Sequence, residues 1–249
     1  MNLRSADISY RDRLYSSYGH DFQDAGETFD REGALRWSRA IAYRLRGWTP
    51  ERKDARILDL ACGSGRLLFF FSERGYKNLT GVDISPDQVS LAGQVTPDVR
   101  QESALDHVES HPDSYDLITS YDIIEHFEKD EALRFLDGCF AALRPGGRMI
   151  LQTPNADSPM VASVRYGDFT HEICFNPNSL TRLMRMVGFC DIEAREAGPV
   201  PSGNGLISSL RYLIWQAIRI GLRLWNLAET GSVGAGVWTR VFLISGVKK

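Results

Sequence analysis

Four short stretches of this chain bring together residue types that can do chemistry. In ILDLACGSGR (57–66) an acid, Asp59, precedes two glycines, Gly63 and Gly65. In GVDIS (81–85) a second acid, Asp83, stands 18 residues beyond Gly65. Glycine lets a chain turn tightly and approach a ligand closely, and the helix that follows offers unpaired N–H groups at its start. Gly63 is expected to make the turn and Gly65 the close approach. An acid at the end of the next strand accepts hydrogen bonds from both hydroxyls of a ribose. A capping acid in a common αβ turn is the plainer reading of Asp83, but strand, glycines, second strand and acid in register favour a nucleoside site. A pyrophosphate is the disfavoured ligand. The dinucleotide fingerprint GxGxxG needs a third glycine where Leu68 stands, and Asp59 would repel phosphate while suiting a positive amino group.

The other two stretches carry histidines. His126 closes Asp122-Ile123-Ile124-Glu125-His126, and His171 lies in Asp168-Phe169-Thr170-His171-Glu172. Imidazole titrates near neutral pH and serves as a general base toward a hydroxyl. The alternatives are a packing or capping role at a helix start for His126 and a backbone-bonding loop role for His171. Asp122, Glu125, His126 and His171 also form a DxxEH…H set whose two carboxylates and two imidazoles suit a divalent ion. His20, His107 and His111 lack such a context and are expected at the surface.

These residues need a scaffold, and the hydrophobic pattern supplies one. Short apolar runs at 57–61, 79–84, 99–101, 115–120 and 148–153 read as buried parallel strands. Helices are expected at 66–74, after Ser85-Pro86, at 129–143 and at 178–187, the last ended by Gly188. Two closing strands fall at 191–195 and 237–245. Alternating strands and helices imply an α/β fold, a doubly wound Rossmann-like sheet of seven strands with ligands at the carboxyl ends. Both histidine loops leave that edge. Residues 1–55 form an N-terminal helical cap, with a helix at 31–48. Residues 56–249 form the main domain, interrupted by a late helical insertion at 198–236.

At 249 residues, 43% hydrophobic and 24% charged, the chain suits one large globular domain with an insertion. A net charge of −3 provides no basic field for nucleic acid. Cys62, Cys139, Cys174 and Cys190 have no metal-type spacing and read as reduced thiols. The N-terminus lacks the apolar core of a signal peptide. The most apolar stretch, 206–227, is broken by Arg211, Arg219 and Arg223, which share one narrow face at i, i+8 and i+12. Packing on the domain with snorkelling arginines is the first expectation for this helix. A substrate lid, a homodimer interface and an interfacial helix on anionic lipid are the alternatives.

Taken together, ILDLACGSGR, GVDIS, YDLITSYDIIEHF and LRPGGRMILQTPN resemble, in order, the motifs of class I S-adenosylmethionine-dependent methyltransferases, from about 56 to 190. The resemblance implies a mostly parallel sheet closed by one antiparallel strand. It implies that Asp59 and the Ala61, Gly63 and Gly65 backbone hold the methionine part, that Asp83 holds the ribose and Ile84 packs on adenine, and that Tyr121 lines the cleft. S-adenosylhomocysteine would be the product. Where the family often has an acid reading the adenine amino group, this chain has Ser103 before Ala104; Glu102 reaches that place only through a one-residue slip. Tyr15, Tyr18 and Arg36 are further candidates for touching cofactor or substrate, each with a structural alternative.

The segment DFTHEICFNPNSLTRLMRMVGF resembles small-molecule and sugar O-methyltransferases, which implies a substrate-side role for His171, with His126 and Glu125 beside it. The layout of REGALRW…RLRGW and ETGSVGAGVWTR resembles methyltransferases of bacterial cell-surface polysaccharide pathways. It implies a sugar or glycolipid hydroxyl as acceptor, and a cytoplasmic enzyme that is peripheral to the membrane if 206–227 touches lipid. The DxxEH…H set resembles that of metal-dependent RNA 2′-O-methyltransferases and of ubiquinone-type O-methyltransferases, which keeps a divalent metal open. The acidic balance speaks against RNA. A cofactor-binding module without catalysis is the remaining rival, and an NAD-dependent oxidoreductase is disfavoured by Leu68 and Asp59.

Overall fold

The computed structural model describes Tyr10, Leu14 and residues 28–201 and 205–249. Tyr15, Tyr18 and His20 lie outside the described residues. A seven-stranded sheet runs in the order β3-β2-β1-β4-β5-β7-β6. Its strands are β1 (Arg56–Leu60), β2 (Asn78–Asp83), β3 (Val99–Gln101), β4 (Tyr115–Tyr121), β5 (Leu143–Pro154), β6 (Cys190–Glu196) and β7 (Val241–Val247). β1 to β5 are parallel, and β7 enters antiparallel between β5 and β6. The helices are α1 (Arg31–Arg44), α2 (Arg66–Ser72), α3 (Pro86–Ala92), α4 (Ala104–Ser110), α5 (Lys129–Ala142), α6 (Val161–Arg165), α7 (Pro177–Val187) and α8 (Leu206–Thr230).

Alternation along the strands makes two cores. Leu58, Leu60, Ile118, Met149, Leu151, Phe242 and Ile244 face one side, where Phe135 and Leu136 of α5 and Leu180 and Met184 of α7 cover them. Ile57, Leu117, Ile150 and Leu243 face the other, under Ile41 of α1 and Leu68, Phe70 and Phe71 of α2. Near-continuous apolar strands are what a sheet covered on both faces requires. Asp59 shares its face with Ile57, because side chains two apart point the same way.

Element boundaries differ from expectation where local bonds decide. The helix expected at 31–48 ends at Arg44, because Gly47 takes a left-handed φ of 75° and the Trp48 N–H turns back to Leu45 O at 2.9 Å. β5 begins at Leu143, before the RPGG break. Gly146 N–H donates to Lys248 O at 2.7 Å and Lys248 N–H to Gly147 O at 2.9 Å, so the chain beyond β7 holds this stretch in line. The last strand starts at Val241 and not at 237. Asn155 Nδ2 instead clamps the Val237 and Thr239 carbonyls at 3.0 and 2.9 Å.

α8 departs most from the packing expectation, since none of its 25 residues is buried. His107 is also misplaced by the surface expectation. It is fully buried, bonded through Nδ1 to Glu102 and through Nε2 to Tyr115 Oη at 2.6 Å. Two polar neighbours on adjacent elements let an imidazole replace water with protein partners, a pairing that sequence spacing does not reveal. His111 is half-buried and stacks on it at 4.1 Å. All four cysteines are free.

Candidate active site

The carboxyl ends of β1 and β2 build the first half of the site. Ala61 at φ 52° and Gly63 at φ 52° turn the chain away from β1. This aims the Gly63 N–H at Asp83 Oδ2 (2.9 Å), while the Ser85 N–H reaches Oδ1 at 2.9 Å. Each oxygen of Asp83 keeps a second lone pair. Burial pushes the Asp83 carboxyl upward, and the backbone donors of Ser85, Gly63 and Ile84 oppose that push. Gly65 takes φ 85° and faces α3 instead of the cleft. A Cβ there would meet Ala92 Cα at 3.0 Å, so the glycine expected to approach a ligand serves helix packing, and Gly63 lines the cleft.

Asp59 is 2% exposed and accepts from Thr119 Oγ1 at 2.7 Å. Burial raises its carboxyl to about 7, against the pull of the Thr119 bond and with a further push from the Asp83 charge. Such a group favours a cation arriving beside it.

Two cavities meet at this edge and share Ala61, Gly63, Gln88, Tyr121 and Asp122. One, about 450 Å³, is lined by Asp59, Ser64 and Trp37. The other, about 750 Å³, is lined by Asp83, Ile84, Ser103, Ala104, Glu125, His126 and His171. Ile84 lies on the wall, 49% exposed. Tyr121 packs edge-on against Trp37 at 6.4 Å; its buried hydroxyl has no partner among the described residues, and burial drives its pKa far up. Ser103 stands at the N-cap position of α4 without a capping bond. Glu102, the other candidate for the adenine edge, is committed to His107. Arg36 forms an ion pair with Glu32 at 3.6 Å on the exposed side of α1 and lines neither cavity.

The second half comes from the loops after β4 and β5. Asp122 takes φ 54°, and its Oδ2 accepts from Gln152 Nε2 at 2.8 Å. The turn Ile124–His126 then carries Glu125 inward, where it is fully buried and accepts from Thr153 Oγ1 at 3.0 Å. Burial, reinforced by the Asp122 charge, pushes the Glu125 carboxyl well above its ordinary value. The His126 and His171 rings meet edge-on with centroids 4.7 Å apart. Burial pushes the His171 imidazole down, so it is neutral at pH 7.

Thr170 was not expected in the site. Its hydroxyl donates to Asp168 Oδ1 at 2.6 Å. It has one proton, so at His126 Nδ1, 2.8 Å away, it accepts. Nδ1 therefore carries the imidazole proton and Nε2 is the basic nitrogen. Arg165 is a second addition: it bonds the His171 carbonyl, and its Nη2 donates to Glu172 O at 3.0 Å, holding the loop. The signal for Thr170 was present in the DxTH spacing, where an acid and a hydroxyl two residues apart precede a histidine.

Glu125, His126 and His171 place one ligand atom each within 4.8 Å of one another. Glu125 Oε1 and His171 Nδ1 have no hydrogen-bond partner among the described residues. One carboxylate and two imidazoles gathered at that spacing fit a divalent ion. The Asp122 carboxylate, the fourth residue expected in that set, is turned to Gln152.

A sequence profile described as "Methyltransferase domain" matches residues 29–194. The ubiquinone biosynthesis O-methyltransferase of Hydrogenovibrio crunogenus is 27% identical over 153 residues, covering 55% of this chain and 62% of that enzyme. The enzyme of the same name from Xanthomonas euvesicatoria is 32% identical over 111 residues, covering 42% and 45%. The match thus spans less than two thirds of either relative's own length. Among solved structures, the Haemonchus contortus phosphoethanolamine N-methyltransferase 2 in complex with S-adenosyl-L-methionine shares the fold, with TM-score 0.61 and 19% identity over 98% of this chain and 60% of that one. With its motifs in order and two thirds of its length matched, the chain belongs to the methyltransferase-domain family.

Proposed function

We propose that this protein transfers a methyl group from S-adenosylmethionine to a hydroxyl of a small amphipathic molecule. One observation carries the reading. The 750 Å³ cavity has Asp83 and Ile84 in the same lining as Glu125, His126 and His171, so a nucleoside and an acceptor can share it. In this reading Asp83 takes the ribose hydroxyls, the Asp59 cavity takes the ammonium of the methionine part, and Ser103 and Ala104 border the adenine. His126, with Nε2 basic, receives the acceptor's proton; neutral His171 and Glu125 position the acceptor. Holding the hydroxyl in line with the sulfonium methyl supplies much of the acceleration.

The acceptor class rests on the lining. Ile123, Phe127, Val164 and Val241 suit an apolar body next to the hydroxyl, and Tyr166 and Phe169 stand 80% and 79% exposed in the flanking segment. A glycolipid fits both this lining and the resemblance to cell-surface polysaccharide enzymes; a quinone-precursor phenol fits it and the names of the curated relatives. A free, fully polar sugar fits least. Turnover of labelled cofactor with lipid-linked sugars, nucleotide-linked sugars and polyprenyl phenols tests the class. Asp83→Ala should abolish cofactor binding by calorimetry, and unchanged affinity would sink the site assignment.

The donor set of Glu125, His126 and His171 favours a metal-assisted version of the same reaction. A bound divalent ion would lower the acceptor hydroxyl's pKa. Full turnover after exhaustive chelation excludes it.

A further inference from the structure

α8 is an amphipathic helix mounted in reverse. Its polar side faces the domain. Ser209 Oγ donates to Pro201 O at 3.0 Å, Trp215 Nε1 donates to Glu196 Oε2 at 3.0 Å, and Arg219 pairs with the same carboxylate at 3.1 Å. Its apolar side faces outward: Leu206 is 89% exposed, Leu213 64%, Leu224 60% and Trp225 66%, with Ile207, Leu210, Ile214 and Ile218 along the same surface. The helix is about 37 Å long at 1.5 Å per residue. A continuous apolar surface of that extent marks an interaction site.

We propose that α8 is the docking surface for an anionic phospholipid bilayer, lying in the plane of the headgroups with its apolar side among the upper acyl chains. No described helix is long and apolar enough to cross a membrane, so the contact is interfacial. Charge decides between a bilayer and a second copy of the chain. The helix carries Arg211, Arg219 and Arg223 against one acid, Glu229, in its last turn, which accepts from Trp225 Nε1 at 3.0 Å. A cavity of about 290 Å³ on its domain side adds Arg44, Arg46 and Arg195 to the lining, with Glu196 as the one acid among the lining residues. Antiparallel pairing of two copies about the helix midpoint would set Arg211 of one against Arg223 of the other, with Glu229, already bonded to Trp225, as the one acid of each helix and at its far end. Lipid phosphates supply the missing negative charge, and arginine stems are long enough to reach them from the helix flanks.

The inference is independent of the methyl-transfer reading, and its test needs no turnover. The full chain is sedimented with vesicles of phosphatidylcholine alone and of phosphatidylcholine mixed with phosphatidylglycerol. Binding is expected to the mixed vesicles, falling steeply with salt. R211Q/R223Q should bind them about 30-fold more weakly, from roughly 1 kcal/mol per arginine near an anionic surface. L210Q/I214Q/I218Q should weaken binding by about 100-fold or more. These side chains are exposed, so melting curves of the variants should match the parent. Three results overturn the proposal: no preference for the mixed vesicles, parental binding by the apolar triple variant, or a dimer by light scattering that the triple variant dissolves. The lipid and salt comparisons on the unmodified chain decide the matter even if a variant fails to fold.

Discussion

Asp59→Asn separates what this carboxyl does for the ligand from what it costs the fold. Its folded value of about 7 lies above the ordinary 3.8, so the folded chain binds the proton more tightly than the unfolded chain. The sign follows: the penalty is absent below pH 3.8, grows as pH rises toward 7 and is constant above it. A difference of 3.2 units (7 minus 3.8) at 1.36 kcal/mol each gives about 4 kcal/mol at pH 8. Asparagine keeps the acceptor for Thr119 but leaves an amide N–H₂ short of partners, which returns about 1–3 kcal/mol. The ligand-free variant should therefore melt roughly 5 °C higher at pH 8, and the gain should shrink and then reverse as pH falls toward 4, where the cost of the amide outlasts the carboxyl's penalty. Cofactor binding moves the other way. Calorimetry should show the parent losing about tenfold in affinity from pH 8 to pH 6, as the carboxyl takes up a proton, with the variant weak and flat across that range. A variant that melts lower at pH 8, or binds S-adenosylmethionine as the parent does, refutes the argument.

Thr170→Val should lower kcat by about 10–100-fold with cofactor affinity unchanged, because it unpairs His126 Nδ1, and Thr170→Ser should restore most of it; equal loss in both variants would assign Thr170 to packing alone. His171→Ala should leave S-adenosylmethionine affinity intact while turnover falls by about 100-fold, measured with a saturating acceptor; parental turnover would remove His171 from the reaction. Glu125→Gln should stabilise the ligand-free protein above neutral pH, by relieving a buried carboxyl whose value is raised, and a chemical-denaturation midpoint that does not move with pH would contradict that burial argument.

The seven-stranded, mostly parallel sheet and the placing of Asp59, Gly63 and Asp83 at its carboxyl edge were legible because they rest on short-range rules. The apolar run before ACGSG, the acid after the second run and the helix stops at Pro and Gly each act within a few residues. What escaped depends on how separate elements meet. His107 is buried through Tyr115 and Glu102, and Thr170 reaches His126 across 44 residues. Gly63 makes the expected turn, but the place of Gly65 could not be read locally, because both glycines fit a tight turn and only the position of Ala92 on α3 sets Gly65 against a helix. α8 misled because its composition is that of a packed helix; which side faces in is set by Glu196, a residue on β6 outside the helix.

Gly65 acts as a spacer between the helices that follow β1 and β2. Its missing methyl lets the end of α3 settle against the turn that starts α2, with Ala92 Cα 3.0 Å from where a Cβ would stand. α3 begins at Pro86, directly after Asp83, Ile84 and Ser85, so anything that wedges these helices apart tilts the floor on which a nucleoside would rest. The width of that floor is therefore gauged at a residue that lines neither cavity. Redesign of the nucleoside end for a bulkier analogue has a handle at 65 and 92 that leaves every contacting side chain in place.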